Sequence, residues 1–323
     1  MKAIVYREYG PPDVLRLEEV EQPVPKADDV LIKVHATSVN DWDWALVIGK
    51  PFIMRMLGGL TKPKINILGT EVAGIVVAVG SGVKSLKAGD AVYGDLSESG
   101  FGAWAEYVCA KESALVIKPT SMSFEDATAL PHAAALAIQG LEELGKIQKG
   151  QKILINGAGG GVGTLGVQIA KKYGCEVTGV DKGDKLEMML TSGYDHVIDY
   201  QKEDFTKNGI LYDIIFDTKT TRAPGAYLRS LNKTGTYVTV GGDLPLLFRT
   251  IIRGKLISLF SKKRLLVLGL KPNKGLSYVN ELYEAGKIKP VIEGPYSLAE
   301  IPEAVQLFGD AKHKGKIVVS VGR

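Results

Sequence analysis

No stretch constrains the fold of this chain more than Lys152-Ile153-Leu154-Ile155-Asn156 leading into Gly157-Ala158-Gly159-Gly160-Gly161-Val162-Gly163-Thr164-Leu165-Gly166. A short apolar strand runs into a glycine turn, and the helical run Val167–Lys172 follows. That order presents bare backbone N–H groups and the positive end of a helix to an approaching pyrophosphate. Two registers of the GxGxxG spacing overlap. Gly161 to Gly166 fits literally. Ala158-Gly159-Gly160-Gly161-Val162-Gly163, with alanine first, starts the turn sooner after the strand and is the preferred cradle. The next strand ends at Val180-Asp181, about 20 residues past the turn, where an acid holds the ribose hydroxyls of NAD. Lys182 and Lys185 follow at once and suit the 2′-phosphate of NADP. The residues identify a nicotinamide dinucleotide and leave its two forms open.

Around this motif, apolar strands recur with helical stretches between them. They are Lys152–Ile155, Glu176–Val180, Asp213–Phe216, Thr236–Val240 and Leu265–Leu268. Such alternation predicts βαβ units in a parallel, doubly wound sheet over residues 120–270. Ser123 is a candidate N-cap for an Ala/Leu-rich helix running to Leu144. Residues 1–119 read differently. Short alternating strands (Ala3–Tyr6, Val14–Leu17, Val30–Val34, Gly74–Gly80) are broken by Pro and Gly turns, which predicts an antiparallel β domain. The tail from 271 holds an amphipathic helix near Val279–Glu284 and a last strand, Lys316–Val321, able to rejoin the first domain.

Several function classes drop out. The 323 residues carry 40 Lys+Arg and 36 Asp+Glu, a net charge of +4 without a concentrated basic face, so no dedicated nucleic-acid site is expected. No run of about 18 apolar residues offers a membrane span. Charges at Lys2, Arg7 and Glu8 precede any signal-peptide core, and the two cysteines, Cys109 and Cys175, form no CxxC pair, so a reducing cytoplasm is expected. The four histidines lack metal-ligand spacing, and HExxH and GxSxG are absent, so neither zinc nor a serine nucleophile is expected. Leu244–Arg264 is apolar and basic without an acid and is interrupted at Gly254. It suits a weak peripheral membrane contact, a lid or a dimer contact.

Taken together, Leu68-Gly69-Thr70-Glu71-Val72-Ala73-Gly74, Val79-Gly80, Gly89-Asp90, Phe101-Gly102-Ala103-Trp104-Ala105-Glu106-Tyr107, the glycine turn, Val197-Ile198-Asp199-Tyr200 and Gly315–Val319 form a specific set. The chain resembles, over essentially its whole length, the medium-chain dehydrogenase/reductase superfamily, in its zinc-free quinone oxidoreductase and enone reductase branch. The resemblance implies a GroES-like catalytic domain from residues 1–119 and 271–323 and a Rossmann domain from 120–270. It also implies a homodimer. Where zinc-dependent relatives carry Gly-His-Glu, this chain has Gly69-Thr70-Glu71, so the ligand histidine is gone, and the structural-zinc cysteines are missing. The branch's Asn-Pro-x-Asp-x-Lys segment stands as Asn40-Asp41-Trp42-Asp43-Trp44-Ala45, without its lysine. By resemblance, Lys185 and Tyr200 fall at the adenosine 2′-phosphate, which leans towards NADPH against Asp181. Thr218, Gly241 and Gly242 fall at strand ends that line the cofactor site.

The activity implied is NAD(P)H-dependent hydride transfer to a quinone or to the C=C bond of an α,β-unsaturated carbonyl. Without a metal, charge on the carbonyl oxygen must be met by hydrogen-bond donors. Asn40 is the expected polar anchor, and Tyr93 or His132 the donor or proton source. Each has a plainer role open to it: a turn cap, core packing and a backbone hydrogen bond. Trp42–Trp44 and Phe52–Leu57 are permissive for an apolar pocket. The alternatives are a zinc-free alcohol dehydrogenase and a crystallin-like or RNA-associated binding protein with little turnover.

Overall fold

A computed structural model describes residues 1–322. In chain order the elements are β1 (Lys2–Val5), β2 (Arg16–Glu19), β3 (Asp29–Val39), α1 (Asp41–Ile48), α2 (Ile53–Gly58), β4 (Glu71–Val79), β5 (Ala91–Asp95), β6 (Tyr107–Lys111), β7 (Val116–Ile117), α3 (Phe124–Thr128) and α4 (Pro131–Ile138). There follow β8 (Lys152–Asn156), α5 (Gly161–Lys172), β9 (Glu176–Asp181), α6 (Leu186–Thr191), β10 (His196–Asp199), β11 (Tyr212–Asp217), α7 (Pro224–Arg229), β12 (Leu231–Thr239), α8 (Leu244–Phe260) and β13 (Arg264–Val267). The chain ends with α9 (Leu276–Glu284), β14 (Ile292–Ser297), α10 (Ile301–Gly309) and β15 (Lys316–Ser320). It divides into two compact units.

The first unit is Met1–His132, Pro272–Glu284 and the stretch from Pro290 onward. Its seven-stranded sheet runs β14-β15-β3-β4-β5-β7, with β6 also on β3. β15 pairs antiparallel with β3, Ile317 opposite Val39, so the last strand rejoins the N-terminal domain. Register shifts between Leu31 and Ile32 and between Val34 and Ala36 bend β3 against β4, and such bulges raise the local twist that curls a sheet. Val34, Leu46, Val72, Val92, Trp104 and Ile317 share the resulting core. The strand expected at Val14–Leu17 begins only at Arg16, because Pro12–Val14 forms a 3-10 turn.

The second unit is Ala133–Lys271 with Ala285–Lys289. Six parallel strands lie in the order β10-β9-β8-β11-β12-β13, the doubly wound arrangement whose order reverses between β8 and β11. Their near-continuous apolar runs are the mark of a sheet buried on both faces. In β8, Ile153, Leu154 and Ile155 are all fully buried.

Two expectations fail locally. Ser123 caps α3 by accepting from the Asp126 N–H at 2.9 Å, but the helix does not run to Leu144. Pro131 lacks an N–H and disfavours helical backbone at Leu130. The run therefore divides into α3, α4 and a π-helical turn, Gln139–Leu144. Gly254, in contrast, does not interrupt its segment. α8 passes straight through it, and a methyl group there would lie 2.4 Å from the Leu265 carbonyl oxygen. The glycine lets the helix approach β13.

Candidate active site

In the first unit, a polar cluster is built where β3, α1, β4 and β15 converge. Asn40 caps α1: its Oδ1 accepts from the Trp42 N–H at 3.0 Å, and Asp43 accepts from the Asn40 N–H at 3.1 Å. Asp43 is fully buried and also accepts from the Gly69 N–H (3.1 Å) and the Thr70 hydroxyl (2.9 Å). Burial pushes its carboxyl up to about 7, although those three donors work the other way. Glu71, also fully buried, accepts from Ser38 Oγ (2.6 Å), Asn40 Nδ2 (3.3 Å) and the His132 N–H (2.9 Å). The Lys316 ammonium completes its shell as a buried ion pair.

His132, at the start of α4, is buried. Its Nδ1 lies 2.9 Å from Asp95 Oδ2 and its Nε2 3.2 Å from Asp41 Oδ1. Desolvation opposes the imidazolium, but the hydrogen bonds and charges of the two carboxylates outweigh it and lift its pKa to about 10. Asp95 is held below the usual carboxylate range and Asp41 at about 2, because His132 overcomes the desolvation that would raise both. Asp95 is fully buried, whereas the Asp41 side chain is 68% exposed. A protonated imidazole therefore connects an interior carboxylate to one open to solvent. Tyr93 does not join this group. It is fully buried, and its hydroxyl donates to Asn280 Oδ1 at 2.7 Å. Trp42 and Trp44 pack against the core, whereas Phe52, Met56 and Leu57 are exposed.

In the second unit, the turn from Gly157 to Gly160 follows β8, and α5 starts at Gly161 with no side-chain cap on Gly160. The preferred register is the one that spans this turn, while the literal one starts inside the helix. A methyl on Gly163 would lie 2.5 Å from the carbonyl oxygens of Gly157 and Ala158, so the helix docks on the turn only as glycine. The first N–H groups of a helix have no intrahelical acceptors, and here those are at Gly161, Val162 and Gly163. Asp181, ending β9, accepts from the Gly159 N–H and the Lys182 N–H, both at 2.9 Å. It also pairs with buried Lys185 at 3.7 Å. Burial pushes the Lys185 ammonium down, Asp181 opposes this, and nearby Lys219 and Lys182 add to it. The Tyr200 N–H donates to the Asp181 carbonyl at 3.2 Å. At the end of β11, Thr218 Oγ1 donates to the Asn156 carbonyl at 3.0 Å. The Lys219 side chain passes over the turn, 3.2 Å from where a methyl on Gly157 would sit. Gly241 and Gly242 follow β12, with the Gly241 carbonyl accepting from Thr220 Oγ1 at 2.5 Å. The expected cofactor residues thus lie at the carboxyl ends of β8, β9, β10, β11 and β12, the edge of the sheet that contains the point where strand order reverses.

Comparison with known proteins agrees with both halves of this description. Residues 26–120 match the alcohol dehydrogenase GroES-like domain family, and residues 192–319 match the zinc-binding dehydrogenase family. The chain is 35% identical to a 2-methylene-furan-3-one reductase from Solanum lycopersicum, over 99% of this chain and 79% of that protein. It is 34% identical to an NADPH-dependent alkenal/one oxidoreductase from Arabidopsis thaliana, with the same coverage. The quinone oxidoreductase of Coxiella burnetii superposes with a TM-score of 0.88 at 29% identity, covering 100% of this chain and 99% of that one. The chain belongs to the quinone oxidoreductase and enone reductase branch of the medium-chain dehydrogenase/reductase superfamily.

One of the matched families is described as zinc-binding, but the donor set of this medium-chain reductase does not fit zinc. Thr70 stands where zinc-dependent relatives place a ligand histidine, and its hydroxyl is turned onto Asp43 and, at 3.3 Å, Asn40. Among the described residues, no group of three or more His, Cys, Asp or Glu side chains is placed to hold a metal ion. A nicotinamide dinucleotide does fit. The close-packed glycine turn and the uncapped start of α5 present the bare backbone that a pyrophosphate needs, and Lys182, Lys185 and Lys219 lie near one another beside them. Four residues of these sites were missed in the sequence: Asp41, Asp95, Lys316 and Lys219. Only Asp41 carried a signal, its place next to Asn40.

Proposed function

We propose that this medium-chain reductase uses NADPH to reduce quinones or the C=C bond of α,β-unsaturated carbonyls, without a catalytic zinc. When bound, the reduced nicotinamide supplies the hydride. The start of α5 and the glycine turn would hold the pyrophosphate, and Lys182, Lys185, Lys219 and Tyr200 the adenosine 2′-phosphate. Asp181 already serves the turn and Lys185, which favours the phosphorylated form of the cofactor over a free ribose diol.

The observation that carries the reading is the Asp95–His132–Asp41 chain, in which a buried imidazole joins an interior carboxylate to one that opens to solvent. As negative charge develops on the substrate oxygen, the proton would reach the enolate or quinol oxygen from solvent, by way of water held at the exposed Asp41 carboxylate, which the His132 imidazolium keeps in place. Asp95 remains ionised and stabilises the imidazolium. Asn40, Asp43 and Thr70 fix the start of α1 and with it Asp41, so Asn40 is a positioning residue.

The test follows absorbance loss of NADPH and NADH with a chelator present, using one ortho-quinone and one alkyl vinyl ketone. Turnover that survives the chelator and is faster with NADPH is expected. Turnover lost to the chelator, or none with either acceptor, would overturn the assignment.

A further inference from the structure

α8 is apolar on two opposite faces. Thr250 and Gly254 are buried, and Ile257 packs beside them against the second unit's core. On the other side, Phe248 is 65% exposed, Ile252 60%, Leu256 55% and Leu259 72%. These four recur at three- or four-residue spacing, which places them on one stripe of a helix. Arg249 and Arg253, both exposed, line the edge of that stripe, and Lys262 follows the helix. Residues 244–264 contain six Lys or Arg and no Asp or Glu.

An exposed apolar stripe of this size marks an interaction surface. The charge decides the kind of partner. A segment with six cations and no acid is complemented by an anionic surface, which the same segment of a second copy, apposed across a two-fold axis, does not offer. Among the described residues no helix is long and apolar enough to cross a membrane, which leaves a helix that lies along a surface. We propose that α8 docks this protein on an anionic lipid bilayer, its outer stripe in the acyl boundary and its arginines at the headgroups. This is independent of the reductase assignment, because the test needs no turnover.

The test is co-sedimentation of the full chain with vesicles of phosphatidylglycerol and phosphatidylcholine, and with phosphatidylcholine alone. Binding to the anionic vesicles is expected, weakened by high salt, with none to the neutral ones. Each basic residue at such a surface contributes roughly fivefold, so Arg249→Gln/Arg253→Gln should bind about 25-fold more weakly. Phe248→Glu/Leu259→Glu should not bind. Both variants should keep the wild-type melting temperature, solution mass and turnover with a soluble acceptor. Three results would each overturn the proposal: no binding at low salt, binding indifferent to the substitutions, or a lower solution mass in the variants, which would make the stripe a contact between copies.

Discussion

His132→Leu removes the imidazole that joins buried Asp95 to exposed Asp41. Asp95 is fully buried, and without the imidazole its Oδ2 loses the partner at 2.9 Å while Oδ1 keeps the Ser97 N–H at 2.8 Å. Breaking a buried ion pair on one side costs about 3–5 kcal/mol. For a unit of this size, that corresponds to a fall of about 6–20 °C in melting temperature. Asp41→Asn removes a partner that is 68% exposed, and exposed pairs contribute about 0–1 kcal/mol, so its melt should barely move. Turnover should fall in both variants, because both interrupt proton delivery. His132→Leu/Asp95→Asn, which removes the orphaned charge, should recover about 2 kcal/mol of the single variant's loss.

Thermal melts by circular dichroism across pH give the decisive comparison. The folded pKa of His132, about 10, lies above its ordinary 6.5. Its stabilisation is therefore complete below pH 6.5 and is lost as pH rises through about 10. The gap between wild type and His132→Leu should be widest near pH 6 and close towards pH 10. Equal melting temperatures at pH 7, or a gap that widens with pH, would refute the charged relay.

Two further outcomes are expected. Gly163→Ala places a methyl 2.5 Å from two backbone oxygens, so it should destabilise the second unit by about 1–3 kcal/mol or more and weaken NADPH binding, read by melts and fluorescence titration. Lys219→Ala should raise KM for NADPH by about tenfold, the scale of one hydrogen bond to a charged group, with little change for NADH; equal effects on both cofactors would remove Lys219 from the 2′-phosphate.

The second unit was legible because its signals are local. The glycine turn, the strand before it and the helix after it are contiguous, and the apolar strands need no partner to be recognised. The errors there come from packing overriding a local rule. Gly254 reads as a break in a helix, yet it is what lets α8 touch β13. Lys185 reads as a cation for the 2′-phosphate, and no local pattern shows that it is buried and paired with Asp181.

The polar cluster around His132 was legible only in outline, for a physical reason. His132 alone is an unremarkable residue before a helix. Its protonation depends on Asp95, 37 positions earlier, and on Asp41, neither of which shares a spacing pattern with it. The ion-pair partner of buried Glu71 is Lys316, which β15 brings in from the far end of the chain. The threonine at position 70 could be read directly, but not what surrounds it: a hydroxyl tied to Asp43, an asparagine cap, and buried charges balanced in pairs. A buried imidazolium is tolerable only where opposite charge already surrounds it. The β3–β15 pairing and the capped start of α1 help to assemble that surrounding, so the proton His132 holds is a product of tertiary structure rather than of its own sequence neighbourhood.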